Sequence, residues 1–204
     1  MQTWIITGGV ACGKSSVCDA LKAHGKGSVQ YFSSDQQVQR LLDVPEIMDR
    51  LTETFGSEAV AGAGKDRRTD RDWLRRKIFA DAGARRRLEE ILHPGVLQAL
   101  EAARNRARMD TPSNLFLAEV PLHYEIGSTV SADLVIVVAA SQTVQVRRLM
   151  ERRGLDESII EQMLRAQWPI EAKVERADVV IWNDGDPAAL DLQVLTLARQ
   201  HWSE

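Results

Sequence analysis

The sequence predicts an α/β fold in which a five-stranded parallel sheet carries helices on both faces. Three observations predict it. Five short apolar runs, at 4–7, 29–32, 115–120, 134–140 and 179–182, alternate with stretches of helical periodicity. The first run leads straight into a glycine-rich turn and then into a helical stretch at 14–24. Finally, 204 residues with 44% hydrophobic and 27% charged side chains suffice for one compact domain with a proper core.

The elements follow in order. Strand one (4–7) begins so close to Met1 that no secretory leader fits before it, and the longest apolar run, 134–140, is far too short for a bilayer. A soluble, cytoplasmic protein is expected. Strand two (29–32) ends in "YFSSD", which places Asp35 at the start of a helix beginning at Gln36. From 36 to 109 no strand-like run occurs: Thr69-x-x-Asp72 reads as a capping box ahead of "WLRRKIF", Gly62-Ala-Gly64 as a turn between helices, and Pro94 as the opening of a helix running to about Arg108. Strand three (115–120) ends near Glu119. After strand four (134–140) a second insertion, 143–175, holds a charged helical pair punctuated by Pro169. The expected layout is a core of 1–35, 110–142 and 176–204, with helical insertions at 36–109 and 143–175.

Charge and cysteine usage exclude some classes. The net charge of −3 hides ten Lys or Arg against four Asp between Lys65 and Arg87, a local excess of +6. That segment is either a solvated face or the dock of an anionic partner. No nucleic-acid-binding pattern accompanies it, so none is expected as a partner. Cys12 and Cys18 can build neither a disulfide framework nor a zinc site, and His24, His93, His123 and His201 add no metal-ligand spacing.

Gly8-x-x-x-x-Gly13-Lys14-Ser15 satisfies the phosphate-loop pattern between a strand and a helix. Backbone N–H groups from Gly9 through Val10, Ala11, Cys12, Gly13 and Lys14 to Ser16 would turn onto phosphate oxygens, with the helix N-terminus adding partial positive charge. Lys14 would reach the β- and γ-phosphates of ATP, and the Ser15 hydroxyl would take a Mg²⁺ position. Cys12 is either a thiolate activated by Lys14 and the helix dipole or a small filler of the loop. Asp35 serves as general base for an attacking hydroxyl, holds Mg²⁺ through water, or is a helix N-cap. Glu119 is a metal-side carboxylate or a solvated strand end. Arg147, Arg148, Arg152 and Arg153 either offset charge on a moving phosphoryl group or line a solvated helix.

No Asn-Lys-x-Asp guanine reader, Asp-x-x-Gly switch or Gly-x-Gly-x-x-Gly string occurs, so regulatory GTPases and dinucleotide oxidoreductases drop out. Two readings stay open: a small-molecule or nucleotide kinase with an acceptor-binding helical insertion and an arginine-rich lid, and a non-catalytic ATP-binding module.

Over nearly its whole length the chain resembles the dephospho-CoA kinases. The segments that carry the likeness are "TGGVACGKSS", "SSD" at 33–35, "TDRDWLRRKIF" with "LEEILHP", "EVPLHYE", the arginines at 148 and 152, "RAQW" with Gln167, and "ADVVIWNDG" with Asn183. It departs from the family pattern at Ala11, often Gly there, at Ser33, usually the first of two Asp, and at His123, usually Leu. The resemblance implies a three-layer P-loop kinase fold, an acceptor-binding insertion at 36–109 and a lid at 143–175. It further implies ATP-dependent phosphorylation of the ribose 3′-hydroxyl of dephospho-CoA by a monomer or weak homo-oligomer. By the same resemblance Asp35, Lys14 and Arg148 are catalytic, Arg152 and Asn183 bind nucleotide, Arg71, His93, Pro121 and Leu122 face the acceptor, and Ser15 and Glu119 hold Mg²⁺.

Overall fold

A computed structural model describes residues 1–25, 27–109 and 114–202, with the side chain of Arg153 outside the description. The expected core boundaries at 110 and 204 therefore fall outside the described residues. The chain divides into two compact units, Met1–Ser33 with Glu101–Glu204, and Ser34–Leu100.

Five parallel strands form the centre of the first unit, in the order β2-β5-β1-β6-β7. β1 (Gln2–Gly8) lies in the middle and is buried on both faces, which is why it reads as a continuous apolar run and not as an alternation. It is followed by α1 (Lys14–His24) and by β2 (Val29–Ser33), an edge strand. The second unit then holds α2 (Ser34–Leu41), α3 (Pro45–Phe55), a minimal antiparallel hairpin of β3 (Val60–Ala61) and β4 (Arg68–Thr69), and α4 (Arg71–Ala80). α5 (Ala82–Met109) starts in that unit and ends in the first. β5 (Leu115–Glu119), β6 (Leu134–Ala139), α6 (Gln142–Arg153), α7 (Glu157–Arg165), α8 (Ile170–Val174), β7 (Val179–Trp182) and α9 (Pro187–His201) complete the sheet unit.

The main core of the sheet unit gathers Trp4, Ile6, Leu117 and Ile136 from the strands with Val17 and Leu21 of α1 and Val194 and Leu197 of α9. Trp202 closes it edge-on to Trp4, with ring centroids 6.1 Å apart. A separate apolar cluster, including Leu42, Leu51, Leu74, Leu88 and Ile91, holds the Ser34–Leu100 unit together.

All five expected strands form. The local expectations at 36–109 need correction. α2 begins directly at Ser34, so Asp35 sits inside the first helical turn and is not its N-cap. Gly62 and Gly64 belong to the β3–β4 turn, not to a link between helices. The cap of α4 lies one residue later than expected: the Asp70 carboxylate accepts the Trp73 N–H at 2.8 Å, whereas the Thr69 hydroxyl donates to the Leu42 carbonyl. Pro94 does not open a helix but lies inside the 28-residue α5. Proline removes one helical N–H there. Burial of Leu88, Ile91, Leu92, Val96 and Leu100 nevertheless carries the helix past it. The 143–175 insertion contains three helices, with Pro169 as the N-cap residue of α8.

Replacing Asp70 by Ala removes the acceptor that satisfies a first-turn amide, which is expected to cost about 1 kcal/mol in urea unfolding of the chain. Asp70→Asn keeps an acceptor oxygen and is expected to leave the unfolding midpoint nearly unchanged.

Candidate active site

The site in the sheet unit grows out of the carboxyl end of β1. Gly8 stands at φ +140°, and a Cβ there would lie 2.0 Å from the Val138 carbonyl oxygen of the neighbouring strand, so only glycine fits. Gly13 stands at φ +97°, and its added Cβ would meet the Asn183 amide nitrogen at 2.3 Å. Between them Ala11 occupies the left-handed region at φ +56°, a conformation that costs a non-glycine residue about 1–2 kcal/mol. The surrounding donors hold it there.

Those donors capture the loop's carbonyls one after another. Lys173 Nζ lies 3.4 Å from the Gly8 oxygen, and Lys14 Nζ donates to the Gly9 oxygen at 2.8 Å. Arg148 donates to the Ala11 oxygen at 3.2 Å and to the Asn183 carbonyl at 2.9 Å, while the Asn183 amide donates to the Cys12 oxygen at 2.8 Å. The Gly13 oxygen accepts the Val17 N–H. In a trans peptide the N–H points away from the C=O. Outward carbonyls at Cys12 and Gly13 therefore turn the Gly13 and Lys14 amides the other way, at the N-terminus of α1, where an anion is favoured.

Beside the loop lies a cavity of about 420 Å³, whose walls include Ala11, Gly13, Ser16, Arg148, Arg152 and Asn183. Residues from the first loop, from α6 and from the β7 exit thus meet at one place.

Glu119 ends β5 and is buried, in register with Ile6 of β1 and Ser33 of β2. One carboxylate oxygen accepts the Ser15 hydroxyl at 2.9 Å, and the other accepts the Tyr31 hydroxyl. It is not a solvated strand end. Burial raises the Tyr31 phenol far above its usual range, and the bond to Glu119 adds to the rise, so Tyr31 remains a donor. A hydroxyl and a carboxylate are hard oxygen donors of the kind Mg²⁺ takes when phosphates complete its shell. Among the described residues no cluster of three His, Cys, Asp or Glu could hold a metal ion.

After β5 the chain turns through Pro121, Leu122 and His123. The Pro121 carbonyl accepts the Thr7 hydroxyl at 3.1 Å and lies 3.2 Å from Lys173 Nζ. Burial pushes the His123 imidazole below its usual range, against the pull of Glu125 and with help from Lys173. Gln167 reaches the loop as well, its amide oxygen accepting the Val10 N–H at 2.8 Å.

Three expected site residues belong to the other unit. Asp35 is exposed in the first turn of α2, two residues beyond Ser33. Arg71 pairs with Asp43 at 2.7 Å and donates to the Gln39 carbonyl at 3.1 Å, fastening α4 to the far end of α2. His93 is partly buried in α5, and that burial lowers its pKa, opposed by Glu89 one turn earlier.

Sequence reading missed Tyr31 and Lys173. Tyr31 had a faint signal, since it shares a strand face with Ser33. Lys173 had none, because a lysine in a charged helical stretch reads as solvated. The thiolate option at Cys12 falls: the side chain is wholly buried, and desolvation raises its pKa despite the nearby Lys14.

A family model described as Dephospho-CoA kinase matches residues 4–188. A dephospho-CoA kinase of Anaeromyxobacter dehalogenans is 38% identical over 188 residues, spanning 91% of this chain and 85% of that protein. One of Syntrophotalea carbinolica is 34% identical over 194 residues, spanning 94% and 88%. Among solved structures, a Thermus thermophilus protein superposes with a TM-score of 0.77 at 29% identity, over 99% of this chain and 98% of that one. The dephospho-CoA kinase of Campylobacter jejuni shares the fold, with a TM-score of 0.62 at 23% identity over 98% and 96%.

The burial of both thiols sets a direct expectation. Cys12 and Cys18 have raised pKa values caused first by desolvation, so the thiolate fraction is small at pH 8 and grows only as pH rises. A disulfide reagent such as DTNB should titrate neither cysteine within minutes in the folded protein at pH 8, and both after denaturation.

Proposed function

The chain belongs to the dephospho-CoA kinase family, and on that premise we propose that it transfers the γ-phosphoryl group of ATP to the ribose 3′-hydroxyl of dephospho-CoA, giving CoA and ADP. The observation that carries the reading is the phosphate loop, with its carbonyls captured by Lys14, Arg148, Asn183 and Lys173 and its Gly13 and Lys14 amides turned the other way at the N-terminus of α1.

Phosphoryl transfer needs positioning and charge neutralisation more than covalent chemistry. The ATP phosphates fall to the Gly9–Ser16 loop, chiefly to its Gly13 and Lys14 amides, while the Val10 N–H is held by Gln167 and the Cys12 N–H by the Gly9 carbonyl. Lys14 leaves the Gly9 carbonyl for the β- and γ-phosphates once nucleotide enters, because a phosphate is the stronger acceptor. Arg148 and Arg152, on the wall of the cavity beside the loop, offset charge on the transferred group, and Asn183 contributes to the nucleotide side of that cavity. Ser15 and Glu119 are the residues that would hold Mg²⁺, whose chemistry when bound is neutralisation of the β- and γ-phosphate oxygens. Tyr31 keeps the Glu119 carboxylate oriented for that role.

Asp35 accepts the proton of the ribose hydroxyl. Its support is chemical and sequential: it is the carboxylate that directly follows β2, the strand that lies in register with Glu119. In the Ser34–Leu100 unit the acceptor's pyrophosphate falls to the basic 65–87 segment, with Arg71 holding the end of α2 and available to exchange Asp43 for phosphate. By the family resemblance His93 of this unit and, separately, Pro121 and Leu122 of the sheet unit are acceptor-side residues. Among the described residues no helix is long and apolar enough to cross a membrane, which is compatible with a cytoplasmic enzyme working on small soluble substrates.

A panel of acceptors with labelled ATP tests the reading. Label is expected in dephospho-CoA at a rate well above that in shikimate, nucleosides or nucleoside monophosphates. Preference for any other acceptor would overturn it, and transfer to none would make the chain an ATP-binding module. Asp35→Asn is expected to lower kcat by about 10² to 10⁴ with ATP affinity retained. A loss of only a few-fold would remove Asp35 from the role of base.

A further inference from the structure

A lysine with none of its surface exposed lies behind the phosphate loop. Lys173 in α8 is 0% exposed, and its ammonium meets Glu125 Oε1 at 2.6 Å, the Pro121 carbonyl at 3.2 Å and the Gly8 carbonyl at 3.4 Å. An ammonium has three N–H donors, and three acceptors surround this one. A buried charge is costly unless it is paired and hydrogen-bonded, and this one is both.

The identity of the acceptors matters more than their number. Gly8 ends β1 and opens the loop, while Pro121 lies two residues past Glu119 at the end of β5. Lys173 therefore ties together the exits of the two adjacent strands that deliver the loop and the Glu119 carboxylate. Six residues earlier, Gln167 accepts the Val10 N–H. Between them the Trp168 N–H donates to the same Glu125 oxygen at 3.1 Å. The segment from Gln167 to Lys173 thus grips the first half of the loop from behind, at one carbonyl and one amide.

We infer that Lys173 is a positioning residue for nucleotide binding: through the Gly8 and Pro121 carbonyls it keeps the loop in the form that presents its Gly13 and Lys14 amides, with Glu125 as its counter-charge. The inference rests on the reading of this loop as the ATP site. Lys173 itself reaches no ligand, since all three donors are engaged with protein. Its effect comes through the population of loops ready to bind, because apparent Kd equals the intrinsic Kd divided by the competent fraction.

The test separates positioning from stability. Lys173→Met alone leaves Glu125 buried without its cation and is expected to lower the melting temperature markedly. Neutralising both partners, as Lys173→Met with Glu125→Gln or as Lys173→Leu with Glu125→Leu, is expected to restore the melting temperature. ATP affinity should not return with it. If the competent fraction falls to about one tenth, Kd for a non-hydrolysable ATP analogue, measured by calorimetry, rises about tenfold in either folded pair. KM for dephospho-CoA should stay within about twofold. A folded pair that binds the analogue as tightly as the wild-type protein would overturn the inference and leave the proposed function standing. Failure of the wild-type protein to bind the analogue would overturn both.

Discussion

Control of the phosphate-loop carbonyls is the constraint on which the rest of the sheet unit depends. A loop of consecutive peptides has as many acceptors as donors, and a phosphate is repelled by the former. The chain resolves this by giving the carbonyls partners elsewhere: Lys14 from α1, Arg148 from α6, Asn183 from the exit of β7 and Lys173 from α8. Each partner comes from a different element, so the loop's conformation is a property of the assembled sheet as well as of its own glycines. The left-handed Ala11 illustrates this, since the Arg148 contact helps hold a backbone that the residue itself disfavours.

The same sheet places an acid beside the loop without exposing it. Glu119 is buried at the end of β5, yet both its oxygens accept hydroxyl protons, from Ser15 on one side and Tyr31 on the other. Parallel pairing achieves this, because the register that sets Glu119 against Ile6 and Ser33 brings the strand ends together at one edge. Two neutral hydroxyls stabilise the carboxylate where a second acid would repel it.

Arginines in this chain shape the protein by holding backbone carbonyls and carboxylates, and one of them also faces a cavity. Arg148 holds two backbone carbonyls and also lines the cavity beside the loop. Arg71 is engaged with Asp43 and the Gln39 carbonyl in the unit that carries Asp35. Such pairs keep a guanidinium oriented without burying it, so a phosphate can compete for it at modest cost.

By itself the sequence determined the five strands, the phosphate loop with Lys14 and Ser15, and the family, through the ordered segments from "TGGVACGKSS" to "ADVVIWNDG". Those features are local: a period, a glycine spacing, a run of residues in order. Tertiary structure alone decided that α5 continues through Pro94, that Asp70 and not Thr69 caps α4, and that Cys12 is an inert filler. It also decided the partners of Tyr31 and Lys173. The reason is physical: the preference of a proline, a thiol or an ammonium depends on what surrounds it after folding. Residues 119 and 173, far apart in the chain, acquire their partners only when parallel strands bring their ends to one edge.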